Sequence, residues 1–269
     1  DMQQQFIRRP IAVASLALLL SACGGGNDII EDTRPQDSRT FAFADATATT
    51  FPAMAADPSA NDAAAMSSTS RYAGVLGGAS YRVEVPATWN GKLVMYAHGY
   101  AGNDTPLGVD NPAIRRHLIQ QGYAWAASSY SKNYYDVRAG VEDTNRLANE
   151  FNKITAAAGR PLAAPSRIYI TGISMGGHIT GAAIEAETAA TAVNKVAYHG
   201  AVPMCGVMGD AELFNQFAAV QVTAQAMAGL PKYPTANWAD ISTQVTKALF
   251  TTFPSVPTAD GVKYMSVLQ

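Results

Sequence analysis

One serine in this chain sits where its hydroxyl could become a nucleophile. Gly172-Ile173-Ser174-Met175-Gly176 is a G-x-S-x-G pentapeptide. Before it stands Arg167-Ile168-Tyr169-Ile170-Thr171, a β-branched and aromatic run with the pattern of a buried strand. After it, residues 177–186 have the pattern of a helix. A serine in so tight a bend is lifted clear of the sheet and aimed at the helix N-terminus, where unpaired N–H groups can hold negative charge. The flanking glycines are needed because the bend leaves no room for side chains beside it. Such a hydroxyl attacks a carbonyl carbon, and the oxyanion that forms needs hydrogen-bond donors. The N–H of Met175, the residue after the nucleophile, is one donor. His98-Gly99-Tyr100 follows another apolar run at 93–97. Gly99 lets the backbone turn a neighbouring N–H inward, so the Tyr100 N–H is the expected second donor.

A nucleophilic serine also needs a base, and the chain has four histidines. His178 lies one helical turn after Ser174 on the same helix. It is poorly placed to take the Oγ proton, so a packed or capping role is expected. His199 precedes a run at 200–205 and belongs at the wrong end of the sheet, since parallel strands present sites at their C-terminal ends. His117 falls on the outside of a helix. Asp210 follows the run ending at Cys205, at the correct edge, and is the candidate acid. Asp240 and Asp260 lie in a helical stretch, where capping or solvated roles are expected. Trp125, Tyr130, Tyr134 and Tyr135 gather near a strand end. Core and rim packing is the expected role for them, and an aromatic acyl or aryl site is the alternative.

The elements that must hold these residues follow from periodicity. Strand patterns fall at 80–85, 93–97, 123–127, 167–171 and 200–205. Helix patterns fall at 111–121, with Asn111 as cap, Pro112 at the first position and Gly122 as stop, and at 137–158, capped by Asp136 and ended by Gly159 and Pro161. Strand and helix alternate, which argues an α/β fold with a doubly wound, mostly parallel sheet over residues 71–209. Beyond Cys205 only helical patterns follow, at 211–227, 238–250 and from 258 on, and no further strand run is legible. Residues 210–269 therefore form a helical cap segment.

Bulk composition narrows the partners. The 269 residues are 48% hydrophobic and 15% charged, and the net charge of −2 gives no electrostatic case for nucleic acid. There is no P-loop, no H-E-x-x-H and no Cys/His spacing of a zinc site, so no metal or cofactor is expected. Phe6-Ile7-Arg8-Arg9 followed by ten apolar residues at 11–20 is a targeting segment too short to span a bilayer comfortably. Leu20-Ser21-Ala22-Cys23 then resembles the lipobox of bacterial lipoproteins. The resemblance implies a signal peptide at 1–22, lipid on Cys23, export, and a membrane anchor on a flexible tether at 23–70. Gly24 after the cysteine implies the outer membrane in a Gram-negative cell. An ordinary secretory signal with a chance cysteine is the alternative. Cys205, the second of two cysteines, is expected to be a small buried hydrophobe.

His98-Gly99-Tyr100 after one strand and Gly172-Ile173-Ser174-Met175-Gly176-Gly177 after a later one resemble the α/β-hydrolase superfamily over residues 80–205. Residues 167–177 are similar to secreted feruloyl-esterase and polyhydroxyalkanoate-depolymerase-like members. Tyr100 with Ser174-Met175 is similar to cutinase-like polyester hydrolases. The resemblance implies hydrolysis of a small or polymeric carboxylic ester through an acyl-enzyme on Ser174, with His98 structural. It also implies an acid and then a histidine on two later strands. Neither strand is legible, so the catalytic histidine is not identified and the chain is expected to stop short of them. Two other classes stay open. One is a catalytically inactive hydrolase-fold binding protein at the cell surface. The other is a serine peptidase of the prolyl-oligopeptidase kind, for whose propeller there is no room.

Overall fold

The computed structural model describes residues 39–43, 49–230 and 238–268. Cys23 and the signal segment lie outside them. In chain order the elements are β1 (Ala42–Phe43), α1 (Ala63–Ser67), β2 (Ser70–Leu76), β3 (Ala79–Val85), β4 (Lys92–Ala97) and β5 (Pro106–Leu107). Then come α2 (Arg115–Gln120), β6 (Ala124–Ser128), α3 (Val137–Ala157), β7 (Arg167–Ile173), α4 (Met175–Ala182), α5 (Ala186–Thr191) and β8 (Gly200–Met204). The tail holds α6 (Asp210–Met227), α7 (Trp238–Leu249), β9 (Phe250–Thr252), β10 (Val256–Pro257) and α8 (Ala259–Val267). No described helix is long and apolar enough to cross a membrane.

Six strands form the main sheet in the order β2-β3-β6-β4-β7-β8. β3 runs antiparallel to both neighbours, and β6, β4, β7 and β8 are mutually parallel. The central strands are apolar throughout because both faces are covered. Along β4, Leu93, Met95 and Ala97 enter one core while Val94 and Tyr96 enter the other. Along β6, Ala124 and Ala126 face the first core, and Trp125 and Ala127 the second. The first core is roofed by α3 and α4, which meet so closely that a Cβ on Gly140 would collide with Ile179. The second lies beneath α2 and the segment carrying Phe51. β4 and β7 pair in register from Lys92↔Arg167 to Ala97↔Gly172. The chain therefore leaves both strands side by side, and the two loops singled out in the sequence start next to one another.

Several local expectations change. The helix expected from 111 starts at Arg115, because the Asn111 side chain accepts a hydrogen bond from Arg82 instead of capping the helix. β2 has no clear alternation and was not legible. The elbow helix ends at Ala182, and Ala186–Thr191 form the separate α5. β9 and β10 make a small antiparallel pair in the tail that no sequence pattern signalled. The tether is shorter than composition suggests, since Phe51 and Met66 are both buried. Asp136 does cap α3, accepting the Ala139 N–H at 2.9 Å.

β3 alternates as expected, yet its polar face is not wet. Glu84 is 0% exposed. Its carboxylate accepts two bonds from Arg115 at 2.6 and 3.0 Å, one from the Trp125 indole at 2.8 Å and one from Thr69 at 2.7 Å. Arg115 packs between the Phe51 and Trp125 rings, 5.2 and 5.6 Å from their centroids, and donates to the Pro52 carbonyl. A buried carboxylate survives only when its oxygens are satisfied in this way.

Asp143 on α3 is a second buried carboxylate, 5% exposed, accepting from the Ser131 N–H and from Arg146. Burial raises its pKa above the ordinary carboxylate value. The native state therefore binds this proton more tightly than the unfolded chain does. The group's contribution to stability is complete below the unfolded pKa and is lost as pH rises through the native one. Asp143→Asn should flatten that part of the stability–pH curve, as measured by urea denaturation between about pH 3.5 and 6.

Candidate active site

β7 runs into α4 through Ser174, whose φ of 58° and ψ of −123° lie in a region that a non-glycine residue seldom adopts. The bend exposes the serine side chain. Its N–H donates to the Met204 carbonyl at 3.0 Å, and its carbonyl accepts the His178 N–H at 3.1 Å. Both backbone groups are thus tied down while the hydroxyl makes no bond to another described residue. The glycines of the motif leave room for the neighbouring chain. A Cβ on Gly176 would fall on the Ala97 and His98 carbonyls. Gly176→Ala should therefore destabilise the protein by about 1–3 kcal/mol, read as a lower urea midpoint, because backbone rather than a flexible side chain must move.

Residues 98–100 leave β4 against this bend. A Cβ on Gly99 would stand 3.5 Å from the Ser174 Cβ. The Met175 N–H, at the first helical position, has no intrahelical acceptor. Among the described residues no carbonyl accepts the Tyr100 N–H. His98 is buried, with Nδ1 2.6 Å from the Gly99 carbonyl and Nε2 3.2 Å from the Ser129 carbonyl. Its ring stacks on Tyr130 at 4.1 Å, and the Tyr130 hydroxyl donates to the His98 carbonyl at 3.0 Å.

None of the four histidine rings is hydrogen-bonded to the Ser174 hydroxyl. His98 braces its own loop. His117 is exposed on α2. His199 lies beside the first residues of β7, its Nδ1 accepting the Ile168 N–H at the opposite sheet edge. His178 is half-buried on α4, with Nδ1 2.9 Å from the Tyr135 hydroxyl, which also donates to the Val207 carbonyl. Asp210 opens α6, and its side chain lies outside the described part. Asp240 and Asp260 occupy the first turns of α7 and α8, the latter paired with Lys263. Among the described residues no group of three or more His, Cys, Asp or Glu side chains could hold a metal ion.

The four aromatic residues divide. Trp125 and Tyr130 are core, at 0% and 1% exposure, whereas Tyr134 and Tyr135 stand at the rim. Tyr135 meets Phe214 edge to face at 5.1 Å, and Phe214 meets Phe217 in the same way. Tyr100 and Ile173 are also exposed beside Ser174. Sequence reasoning missed Phe214 and Phe217, because polar and apolar residues are mixed around α6 and no face is preferred. Cys205 is not the buried hydrophobe expected. It is exposed, with a φ of 49°, just past the end of β8. The left-handed turn after the strand points it outward.

A mostly parallel sheet in this strand order, whose fifth strand bends through a left-handed serine into a helix, is the α/β-hydrolase fold. No protein-family model and no curated protein sequence matches the chain. Among solved structures, a variant of the rice cell wall degrading esterase LipA from Xanthomonas oryzae is 19% identical over 60% of this chain and 45% of its own, with a TM-score of 0.35. Brefeldin A esterase, a bacterial homologue of human hormone sensitive lipase, is 23% identical over 42% of this chain and 33% of its own, with a TM-score of 0.29. EstE5 is 14% identical over 68% and 56%, with a TM-score of 0.37. The chain thus spans less than half the length of the first two. Likeness at this level concerns backbone arrangement and nothing finer.

Proposed function

We propose that this protein is a serine hydrolase that cleaves carboxylic esters through an acyl-enzyme on Ser174. The observation that carries the reading is the exposed serine held at a φ of 58° between strand and helix. Such a conformation costs about 1–3 kcal/mol and persists only where the surroundings enforce it. Ser174 Oγ attacks the ester carbonyl. The Met175 and Tyr100 N–H groups receive the oxyanion, and collapse of the tetrahedral species breaks the ester C–O bond, the departing alkoxide taking up the proton lost from Oγ and leaving as the alcohol. Water then releases the acid from the serine. Asp210 is the candidate acid of the charge relay. Fluorophosphonate labelling tests the assignment. An adduct on Ser174 in the folded chain, absent from Ser174→Ala and from the denatured chain, supports it, and equal labelling of all three refutes it.

One observation favours a second reading. With all four histidines bonded elsewhere or distant, the Oγ proton has no imidazole to receive it. A hydrolase-fold protein that binds at the cell surface without turnover fits that arrangement. The two readings differ in whether Ser174 ever carries an acyl group.

We further propose that the protein is exported and held to a membrane by lipid on Cys23, with residues 1–22 removed. The apolar run, the preceding arginines and the Leu20-Ser21-Ala22-Cys23 sequence support this. Metabolic labelling with palmitate should be lost in Cys23→Ser. Retained label would refute the anchor.

A further inference from the structure

We infer that Asp143 is a positioning residue for the loop 98–100 that faces Ser174, acting through the turn that follows β6. The inference rests on the reading of Ser174 as the nucleophile. The contacts run in an unbroken series. Asp143 Oδ2 accepts the Ser131 N–H at 2.7 Å. The adjoining Tyr130 is held at a φ of 59°, with its N–H donating to the Ser128 hydroxyl and its carbonyl accepting from the Ser129 hydroxyl. Tyr130 in turn stacks on His98 and donates to its carbonyl. Ser129 supplies the carbonyl that faces His98 Nε2. His98 Nδ1 closes onto the carbonyl of Gly99, where an added Cβ would stand 3.5 Å from the Ser174 Cβ.

Only one residue in this series, Asp143, lies on a long helix, and it is itself fixed. Oδ1 accepts from Arg146, which also donates to the Gly77 carbonyl in the turn between β2 and β3. The loop that should meet the oxyanion is therefore not held by its own residues alone. It leans on the turn after β6, and the backbone of that turn is tied to α3 through the Asp143 carboxylate. Without Asp143 the Ser131 N–H loses its acceptor, Arg146 keeps only the Gly77 carbonyl, and the left-handed Tyr130 loses its neighbouring restraint.

Hydrogen exchange and Ser174 labelling by a fluorophosphonate, measured on the full chain, test the inference together. Asp143→Ala should speed exchange of the 98–101 amides by about fivefold or more while residues 93–97 in β4 stay unchanged. It should slow labelling by about tenfold, since a small misplacement of an oxyanion donor weakens a contact made only in the transition state. Asp143→Asn keeps an oxygen for the Ser131 N–H and should restore both readouts to within about threefold. A folded Asp143→Ala with unchanged exchange at 98–101 overturns the inference, and so does an Asn variant as loose as Ala. If Asp143→Ala does not fold, Tyr130→Phe removes only the bond to the His98 carbonyl. It should loosen 98–101 in the same sense, and unchanged exchange there refutes the inference. If the unsubstituted protein never labels, the hydrolase reading falls while the exchange data still decide the positioning role.

Discussion

A p-nitrophenyl ester will acylate Ser174 slowly, and Ser174→Ala will remove the adduct. The rate follows from the site as it stands. Removing the histidine of a serine triad lowers kcat by on the order of 10⁶. Set against a typical kcat of about 10 s⁻¹, that leaves about 10⁻⁵ s⁻¹, roughly one turnover per day. Deacylation needs the same proton acceptor as acylation, so the acyl-enzyme should build up and be visible as an added mass on the peptide carrying Ser174. Its presence separates a hydrolase from a binding protein, which would show no adduct above the Ala variant. A Ser174-dependent kcat above about 0.1 s⁻¹ would mean that an imidazole does reach the hydroxyl. His178, held by Tyr135 one turn along α4, would then be the residue to replace first.

The largest effect on stability should come from Glu84→Leu. Four hydrogen bonds converge on that carboxylate, and the substitution leaves the Arg115 guanidinium in the core without its counter-charge. Breaking a buried pair from one side costs about 3–5 kcal/mol, which is a large share of the 5–15 kcal/mol that a protein of this kind has to lose. Arg115→Met should cost a comparable amount by stranding the carboxylate. The double variant Glu84→Leu/Arg115→Met should recover much of the loss, because no unpaired charge remains. Urea denaturation of the three variants measures this directly. Additive losses in the double variant would mean that the two groups are not coupled.

These two sites differ in how well they could be read from the residues. The Ser174 bend was legible because its signal is local. A β-branched run, a glycine-flanked serine and an apolar helix follow one another within twenty residues, so the signal is complete in the sequence even though Ala97, His98 and Met204 also hold the bend. Most strands and helices were legible for the same reason, including Asp136 as the cap of α3. Glu84 was not, because an alternating strand says which residues share a face but not whether that face is covered. The cover comes from Phe51, Pro52 and Arg115, the first two in a stretch whose composition resembles a tether. The Tyr130–His98 brace was also invisible. It depends on two loops meeting after different strands, and on a left-handed tyrosine that no local rule favours. Cys205 turned outward for a similar reason, since its φ is set by the path after β8 and not by its side chain. The start of α2 moved because a distant arginine took the oxygen that local capping would have used.

Four of the five described non-glycine residues with positive φ are Tyr130, Tyr134, Ser174 and Cys205, all just beyond the ends of strands β6, β7 and β8. Among the described residues, most of this conformational tension gathers at the C-terminal edge of the parallel strands. Anyone selecting heat-tolerant descendants of this chain would find the cheapest improvements there, as asparagine or glycine entering at Tyr134 or Cys205. Those same replacements would soften the ground on which the serine stands, so robustness and chemistry should trade against each other along a single edge.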